Sequence, residues 1–266
     1  MYSYHIHSTF CHGENTPEEI VFAAIEQGMV SIGLSSHGYT GFDLRYCMQD
    51  AEGYIAEIRR LKEKYQDKIQ IYLGVEEDIS APVDRSQFDY VIGSSHYLTL
   101  EGQYYPFDSN YDCFKQCLEL FRQDVVAMAE NYYQNFCSYL AWRKPDIVGH
   151  FDILTKFDEL GEPFFSTNTE YNKLAEQSMM AAMESNCIFE INTGSIARGL
   201  RTTVCPNENL LYLLQKQDAK IILSSDSHRV DTLTFCFEET KRYLRDIGFR
   251  YAYALLDNRF VKYELV

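Results

Sequence analysis

The chain opens MYSYHIHSTFCHGE, which places His5, His7 and His12 close together in a 266-residue sequence with seven histidines in all. The other four are placed with equal regularity. His37 follows IGLSS, His96 follows VIGSS, His150 ends IVG, and His228 follows ILSSDS. Every histidine therefore lies in or just beyond the C-terminal end of an apolar, β-rich run, and none falls in a helical pattern. Two acids share that placement: Glu76 after YLGV and Asp226 after ILSS. Imidazoles and carboxylates without a thiolate are the donor set of borderline divalent ions such as zinc, iron or manganese. Seven imidazoles and two carboxylates are too many for one ion and suit two or three. His5 and His7 point to the same face of their strand, because strand side chains alternate, so they can chelate one ion together. Asp226 and His228 repeat that spacing. Asp152, two residues beyond His150, is expected to orient a ligating ring.

A second stretch, FEINTGSIARGLRTTVCP (189–206), has no expected ligand but carries Arg198 and Arg201 beside small residues at a strand end. A guanidinium there can grip a phosphate through two parallel hydrogen bonds. Neither a Ser/His/Asp pattern nor a glycine-rich phosphate loop is present.

Elements that alternate must bring these residues together. Strand-like runs span 2–7, 30–36, 68–75, 88–95, 146–151, 187–192 and 219–226, each rich in Ile, Val, Leu, Phe or Tyr. Between them lie helical patterns. TPEEIVFAAIEQG offers Thr16 as N-cap, Pro17 at the first helical position, Glu19 to complete a capping box and Gly28 as a stop. AEGYIAEIRRLKEKY places Tyr54, Ile55, Ile58, Leu61 and Tyr65 on one face. NKLAEQSMMAAMESN, NENLLYLLQKQD and TLTFCFEETKRYLRDIG read as further helices. About seven strand–helix repeats predict an α/β fold with parallel strands, either doubly wound or a barrel. In a parallel barrel all C-terminal strand ends meet at one face. Residues 104–145 break the rhythm with a tyrosine-rich loop and one long helical stretch. They are expected as a mostly helical insertion flanking the site within a single domain, 1–266. Two more strands, FRYAYALLD and RFVKYELV, close the sequence without readable chemistry.

Composition limits the partners. The formal charge of −15 repels nucleic acid and anionic membrane surfaces, although bound cations would make one pocket positive. No run reaches the roughly 18 apolar residues of a membrane span, and no basic segment leads into an apolar one at the start. The eight cysteines are scattered with no C-x-x-C pair, as expected of reduced thiols in a cytoplasmic protein.

The stretches HIHSTFCHGE, IGLSSHG, LGVEED, IGSSHYL, DIVGHFDIL, EINTGSIARG and SSDSH together resemble the polymerase and histidinol phosphatase (PHP) superfamily, and within it the histidinol-phosphate phosphatases. The resemblance runs from the first strand to residue 228, in the family's order. It implies a distorted (β/α)7 TIM-like barrel with a trinuclear metal centre at the C-terminal strand ends. His5, His7, Glu76 and Asp226 would hold one ion. Glu76 would bridge to a second, held also by His96 and His150. His12, His37 and His228 would hold the third. The implied reaction is hydrolysis of L-histidinol phosphate, a step of histidine biosynthesis, by attack of a metal-bridging hydroxide on phosphorus. Metal binding brings the pKa of water down towards ~7. Glu76, Asp226, His228 and Arg198 would serve catalysis, with Arg198 and Arg201 on the substrate phosphate. Glu77, Asp78 and Asp108, with tyrosines of the 104–111 loop, are candidates for the substrate amine and imidazole. The family often has Tyr-Pro where this sequence has Cys205-Pro206, a departure that bears on substrate contacts. The alternatives are another PHP phosphoesterase acting on phosphotyrosine proteins or nucleotides, a nuclease or proofreading module, and a noncatalytic metal-binding protein. The oligomeric state is not readable.

Overall fold

The apolar runs fold as strands and the amphipathic runs between them as helices, in a computed structural model that describes residues 1–265. In chain order the elements are β1 (Tyr2–Ser3), α1 (Pro17–Glu26), β2 (Ser31–Leu34), α2 (Ala51–Lys64), β3 (Gln70–Asp78) and β4 (Tyr90–Ser94). A small antiparallel hairpin follows, β5 (Tyr97–Leu100) and β6 (Gln103–Pro106), and then α3 (Tyr111–Leu120) and α4 (Val125–Arg143). The chain continues through β7 (Ile147–Val148), α5 (Thr169–Met183), β8 (Ile188–Asn192), α6 (Gly194–Ala197), α7 (Glu208–Lys216) and β9 (Ile221–Ser224). It ends in α8 (Phe237–Ile247), β10 (Tyr251–Leu256) and β11 (Arg259–Glu264).

Strands β1, β2, β3, β4, β7, β8 and β9 pair in that order, all parallel. The two ends of this run also meet. Ile6 and Ser227 form a parallel bridge, and the His7 N–H donates to Ser227 O at 2.8 Å. Seven parallel strands therefore form a ring, and two of them, β1 and β7, are only two residues long. Inside it, Tyr4, Tyr72, Tyr90, Ile92, Ile147, Ile188 and Ile222 pack as one buried cluster. The alternation that sends these residues inward sends the next ones out to the helices. There α1 and α2 cover β2 and β3 with Ile20, Val21, Tyr54, Ile58 and Leu61.

Local signals hold in detail. Thr16 and Glu19 form the capping box, and Gly28 takes a left-handed φ of 66° after α1. The expected single long helix in 104–145 is instead two helices. The chain breaks at Arg122 and Gln123, both at positive φ, and Asp124 caps α4 by accepting from the N–H groups of Val126 and Ala127. The tyrosine-rich loop is largely the β5–β6 hairpin. Helix α4 packs on α5 through the Tyr133 and Tyr171 hydroxyls, 3.0 Å apart, and serves as the crossover from β4 to β7.

The last two strands reach across the N-terminal mouth of the ring. Strand β10 touches β9 in parallel at one pair, Tyr253 and Ile222, and pairs with β11 along its length. The Tyr4 hydroxyl donates to Leu255 O at 2.9 Å and accepts from the Leu255 N–H at 2.8 Å. Gln70, on β3, accepts from the Asp257 N–H at 3.0 Å. No helix among the described residues is long and apolar enough to cross a membrane.

Candidate metal centre

The opposite mouth, where the strands end, gathers all seven histidines with Glu76 and Asp226. Four overlapping groups place ligand atoms within 4.8 Å of one another: His7/His12/His37/His228, His5/Glu76/His150, His5/His7/Asp226 and His37/Glu76/His96. Glu76 stands at the centre. Its Oε2 lies 3.1 Å from His5 Nε2, 3.3 Å from His7 Nε2 and 3.0 Å from His37 Nδ1. Its Oε1 lies 3.2 Å from His96 Nε2 and 3.0 Å from His150 Nε2. The carboxylate thus divides the imidazoles into two sets, as a bridging ligand would. Asp226 Oδ1 is 3.2 Å from His7 Nε2 and 3.6 Å from His5 Nε2. His12 and His228 face each other with Nε2 atoms 2.8 Å apart.

These atoms fit metal ions better than they fit one another. Buried polar atoms almost always find hydrogen bonds, yet His5 Nε2, His7 Nε2 and Glu76 Oε2 have none despite their closeness. Their lone pairs converge on shared points of space instead. Burial, with His228 and His37 beside it, holds His7 well below the usual histidine range, and burial pushes His228 down to about 3. Neutral imidazoles are the form that binds metal. Burial opposes charge on Glu76, but His37, His5 and His96 hold its carboxyl well below the carboxylate range. Asp226 is likewise buried, and Arg198 and His5 keep it ionised. Against burial, Glu190 and Glu76 hold His5 well above the usual histidine range, and Glu76 and Asp108 do the same for His96, so positive charge collects around the two anions where a bound cation would replace it.

The strand ends fix this geometry. Asp226 adopts a left-handed φ of 46°, a conformation that Asp tolerates better than most residues. Arg198 closes the site from α6 by donating to Asp226 Oδ2 at 2.8 Å and to Asp226 O at 3.2 Å. Gly194 makes room for that contact, since a Cβ there would stand 2.9 Å from both the Arg198 guanidinium and Asp226 Cβ.

Behind the candidate ligands lies a layer of buried acids, one of which, Glu190, was not marked in the sequence. Glu190, in the middle of apolar β8, is buried, and its Oε1 is 2.6 Å from His5 Nδ1. Its Oε2 accepts from the His150 backbone N–H at 2.7 Å and from Asn192 Nδ2 at 2.9 Å. A lone acid inside an apolar strand was the available signal. Asp78, a candidate for the substrate amine, is buried and accepts from His96 N at 3.0 Å, with His96 Nδ1 3.1 Å away. Glu77 alternates to the outer side of β3, where it accepts from Arg143 and from the Tyr139 hydroxyl. Strand β3 runs on through Asp78 rather than ending at Val75, so Glu77 faces away from the cavities while Asp78 borders one of them. Asp152 orients no ring; it accepts from Cys205 Sγ at 2.7 Å and from the Asn207 N–H at 2.9 Å. That contact also turns the Cys205 side chain away from the pocket. Arg201 donates to Thr155 and Thr203 and does not reach the pocket.

Two connected cavities open over the cluster. One of about 240 Å³ is bordered by Arg198, Lys156, Asp226 and His228. The other, about 110 Å³, extends beneath Thr40, Cys47, Tyr97 and Pro106. Asp108, Tyr46 and Ser109 line both. The tyrosines at hand are thus Tyr46 and Tyr97. Tyr104 instead stacks on Phe42, ring centroids 4.3 Å apart. Lys156, in the loop after β7, went unmarked in the sequence because a lysine eight residues beyond a strand end has no distinguishing pattern.

Comparison with known proteins fits this architecture. A Schizosaccharomyces pombe protein named "Probable histidinol-phosphatase" is 26% identical over 92% of this chain and 86% of its own length. The Histidinol-phosphatase of Bacillus subtilis is 24% identical over 88% of this chain and 96% of its own. The crystal structure of histidinol phosphate phosphatase from Lactococcus lactis, complexed with zinc, L-histidinol and phosphate, superposes with a TM-score of 0.70. The match has 18% identity and covers 98% of each chain. That likeness is one of fold. The PHP domain model matches residues 3–194, from β1 to the start of α6 and across most of the candidate ligands. The chain belongs to the PHP domain family.

Proposed function

We propose that this protein is a metal-dependent phosphomonoesterase that hydrolyses L-histidinol phosphate to L-histidinol and phosphate. The observation that carries the reading is the convergence of two side-chain cations, Arg198 and Lys156, on a cavity floored by the nine-residue cluster. An anion is what such a cavity would attract. The curated relatives named as histidinol-phosphatases support the choice of substrate.

His5, His7 and Asp226 would hold one ion, with Glu76 between it and a second at His96 and His150. His12, His37 and His228 would hold the third. Zinc, iron and manganese suit the donors. Bound there, such ions supply activated water at neutral pH and neutralise phosphoryl charge. The chain's own groups do the rest. Arg198 presents N–H groups towards the phosphoryl oxygens. Arg198 also stays tied to Asp226, which keeps it aimed during turnover. Asp108 and Tyr46, which line both cavities, offer a carboxylate and a ring to the amine and imidazole of the alcohol.

The test is inorganic phosphate release from L-histidinol phosphate and from p-nitrophenyl phosphate, using protein of measured metal content. Strong preference for L-histidinol phosphate at about two to three metals per chain is expected. Equal or better turnover of other esters would overturn the substrate, and no turnover of any ester by metal-replete protein would overturn the reaction.

A further inference from the structure

The two cavities share a boundary, and the residues on it are informative. The larger one is the cationic end, with Arg198. The smaller leads away under Tyr97 and Pro106. A phosphomonoester with its phosphoryl group in the first and its organic part in the second has its ester oxygen at the boundary. Apart from candidate ligands, four residues line both cavities: Tyr46, Asp108, Ser109 and Lys156. Tyr46 and Ser109 are occupied with each other, their hydroxyl oxygens 2.7 Å apart. Asp108 is an acceptor. Lys156 alone of the four brings a cationic N–H donor.

We propose that Lys156 is the catalytic acid that protonates the departing ester oxygen. This rests on the phosphomonoesterase reading. Lys156 Nζ donates to Asp108 O at 2.6 Å and, more loosely, to Asp108 Oδ2 at 3.5 Å. An ammonium has three N–H donors, so one is left without an acceptor among the described residues. The side chain is 11% exposed, and its Nζ lies 5.6 Å from the centroid of the Phe157 ring. Burial and the nearby charge of Arg198 draw the ammonium below the ordinary lysine range, against the pull of Asp108 and Asp226. That direction eases proton release.

The step balances. A water oxygen bonds to phosphorus as the bond from phosphorus to the ester oxygen breaks. The electron pair stays on the ester oxygen, which takes a proton from Lys156 Nζ and leaves as the alcohol. Of the two water protons, one remains on the product phosphate. The other passes to solvent, and neutral Lys156 regains a proton from the same source.

The experiment varies the leaving group. L-histidinol phosphate and ethanolamine phosphate release alkoxides, which need a proton; p-nitrophenyl phosphate releases a phenolate that is stable without one. Native protein, Lys156→Ala and Lys156→Arg are compared on all three, with metal content and circular dichroism measured for each. Arginine keeps the cation but has no proton to give at working pH. Lys156→Ala is expected to lower kcat/KM on the alkyl esters by about 10²–10⁴-fold, the usual worth of a positioned acid, and on p-nitrophenyl phosphate by under about tenfold. Lys156→Arg is expected to restore p-nitrophenyl phosphate hydrolysis and leave the alkyl esters impaired, with metal content unchanged in both variants. Equal losses on all three esters, or rescue of the alkyl esters by arginine, would reduce Lys156 to a phosphate-binding cation and overturn the assignment. Native preference for ethanolamine phosphate would overturn only the substrate. Failure of the native protein on every ester would overturn the phosphomonoesterase reading and this assignment with it.

Discussion

Replacing Glu190 by glutamine tests whether the layer behind the ligands sets metal affinity. The carboxylate serves three donors: the His5 ring at 2.6 Å, the His150 backbone N–H at 2.7 Å and Asn192 Nδ2 at 2.9 Å. An amide has one acceptor oxygen. If that oxygen stays on His5, the new NH2 group confronts two donors, from His150 and Asn192. If the amide flips, the NH2 meets His5 Nδ1, and the ring can accept only by moving its proton to Nε2, the atom aimed at Glu76 and Asp226. Either arrangement disturbs a ligand. Loss of such a partner typically costs 10–100-fold in metal affinity, or about 1.4–2.8 kcal/mol. Competition against a chelator of known affinity, read by metal analysis after desalting, measures it directly. Near-native circular dichroism is expected, since glutamine fills the same volume. A variant that holds its metals within about twofold of native would refute the reasoning, because it would show that ring orientation is set elsewhere.

The remaining predictions concern the centre and its supports. Glu76→Gln is expected to abolish turnover with little loss of fold; near-normal activity would rule out a bridging role. Arg198→Ala removes a charge-assisted contact worth about 1.5–3 kcal/mol, so kcat/KM for a phosphate ester should fall about 10- to 150-fold, and unchanged kinetics would exclude its phosphate role. Arg143→Ala strands Glu77, which is fully buried, and is expected to cost about 3–5 kcal/mol in urea unfolding. A loss below about 1 kcal/mol would mean that Tyr139 and the Val83 N–H suffice for that carboxylate.

The strand ends were legible because the site repeats one simple device. Apolar runs of strand length stop at Ser-Ser or Gly, and a histidine or acid follows, so pattern and chemistry point to the same place. His12 shows how far this reaches: it lies outside any strand, yet the turn after β1 returns it to His228. What failed was the reading of acids in a row. Glu76, Glu77 and Asp78 are adjacent in sequence but serve as candidate ligand, outer ion pair and ring support, because the strand alternates beneath them. Arg198 and Arg201 divide in the same way. Three residues apart, only one faces Asp226, and the turn at Gly199 separates them. Lys156 and Tyr46 lie in loops, where no periodicity exists to aim them.

The hairpin across the lower mouth bears on the order in which the protein is made. Tyr4 and Leu255 bond across 251 positions of sequence. The first strand emerges long before its partners for closing the ring and for filling its mouth, Ser227 and Leu255. A nascent chain ending after His228 would own every candidate ligand and still lack the strap that seals its interior. Contacts of such separation are slow to form, and domains assemble from the N-terminus as they are made. Until the hairpin docks, the ring interior beneath His5 and His7 stays open to water at its N-terminal mouth.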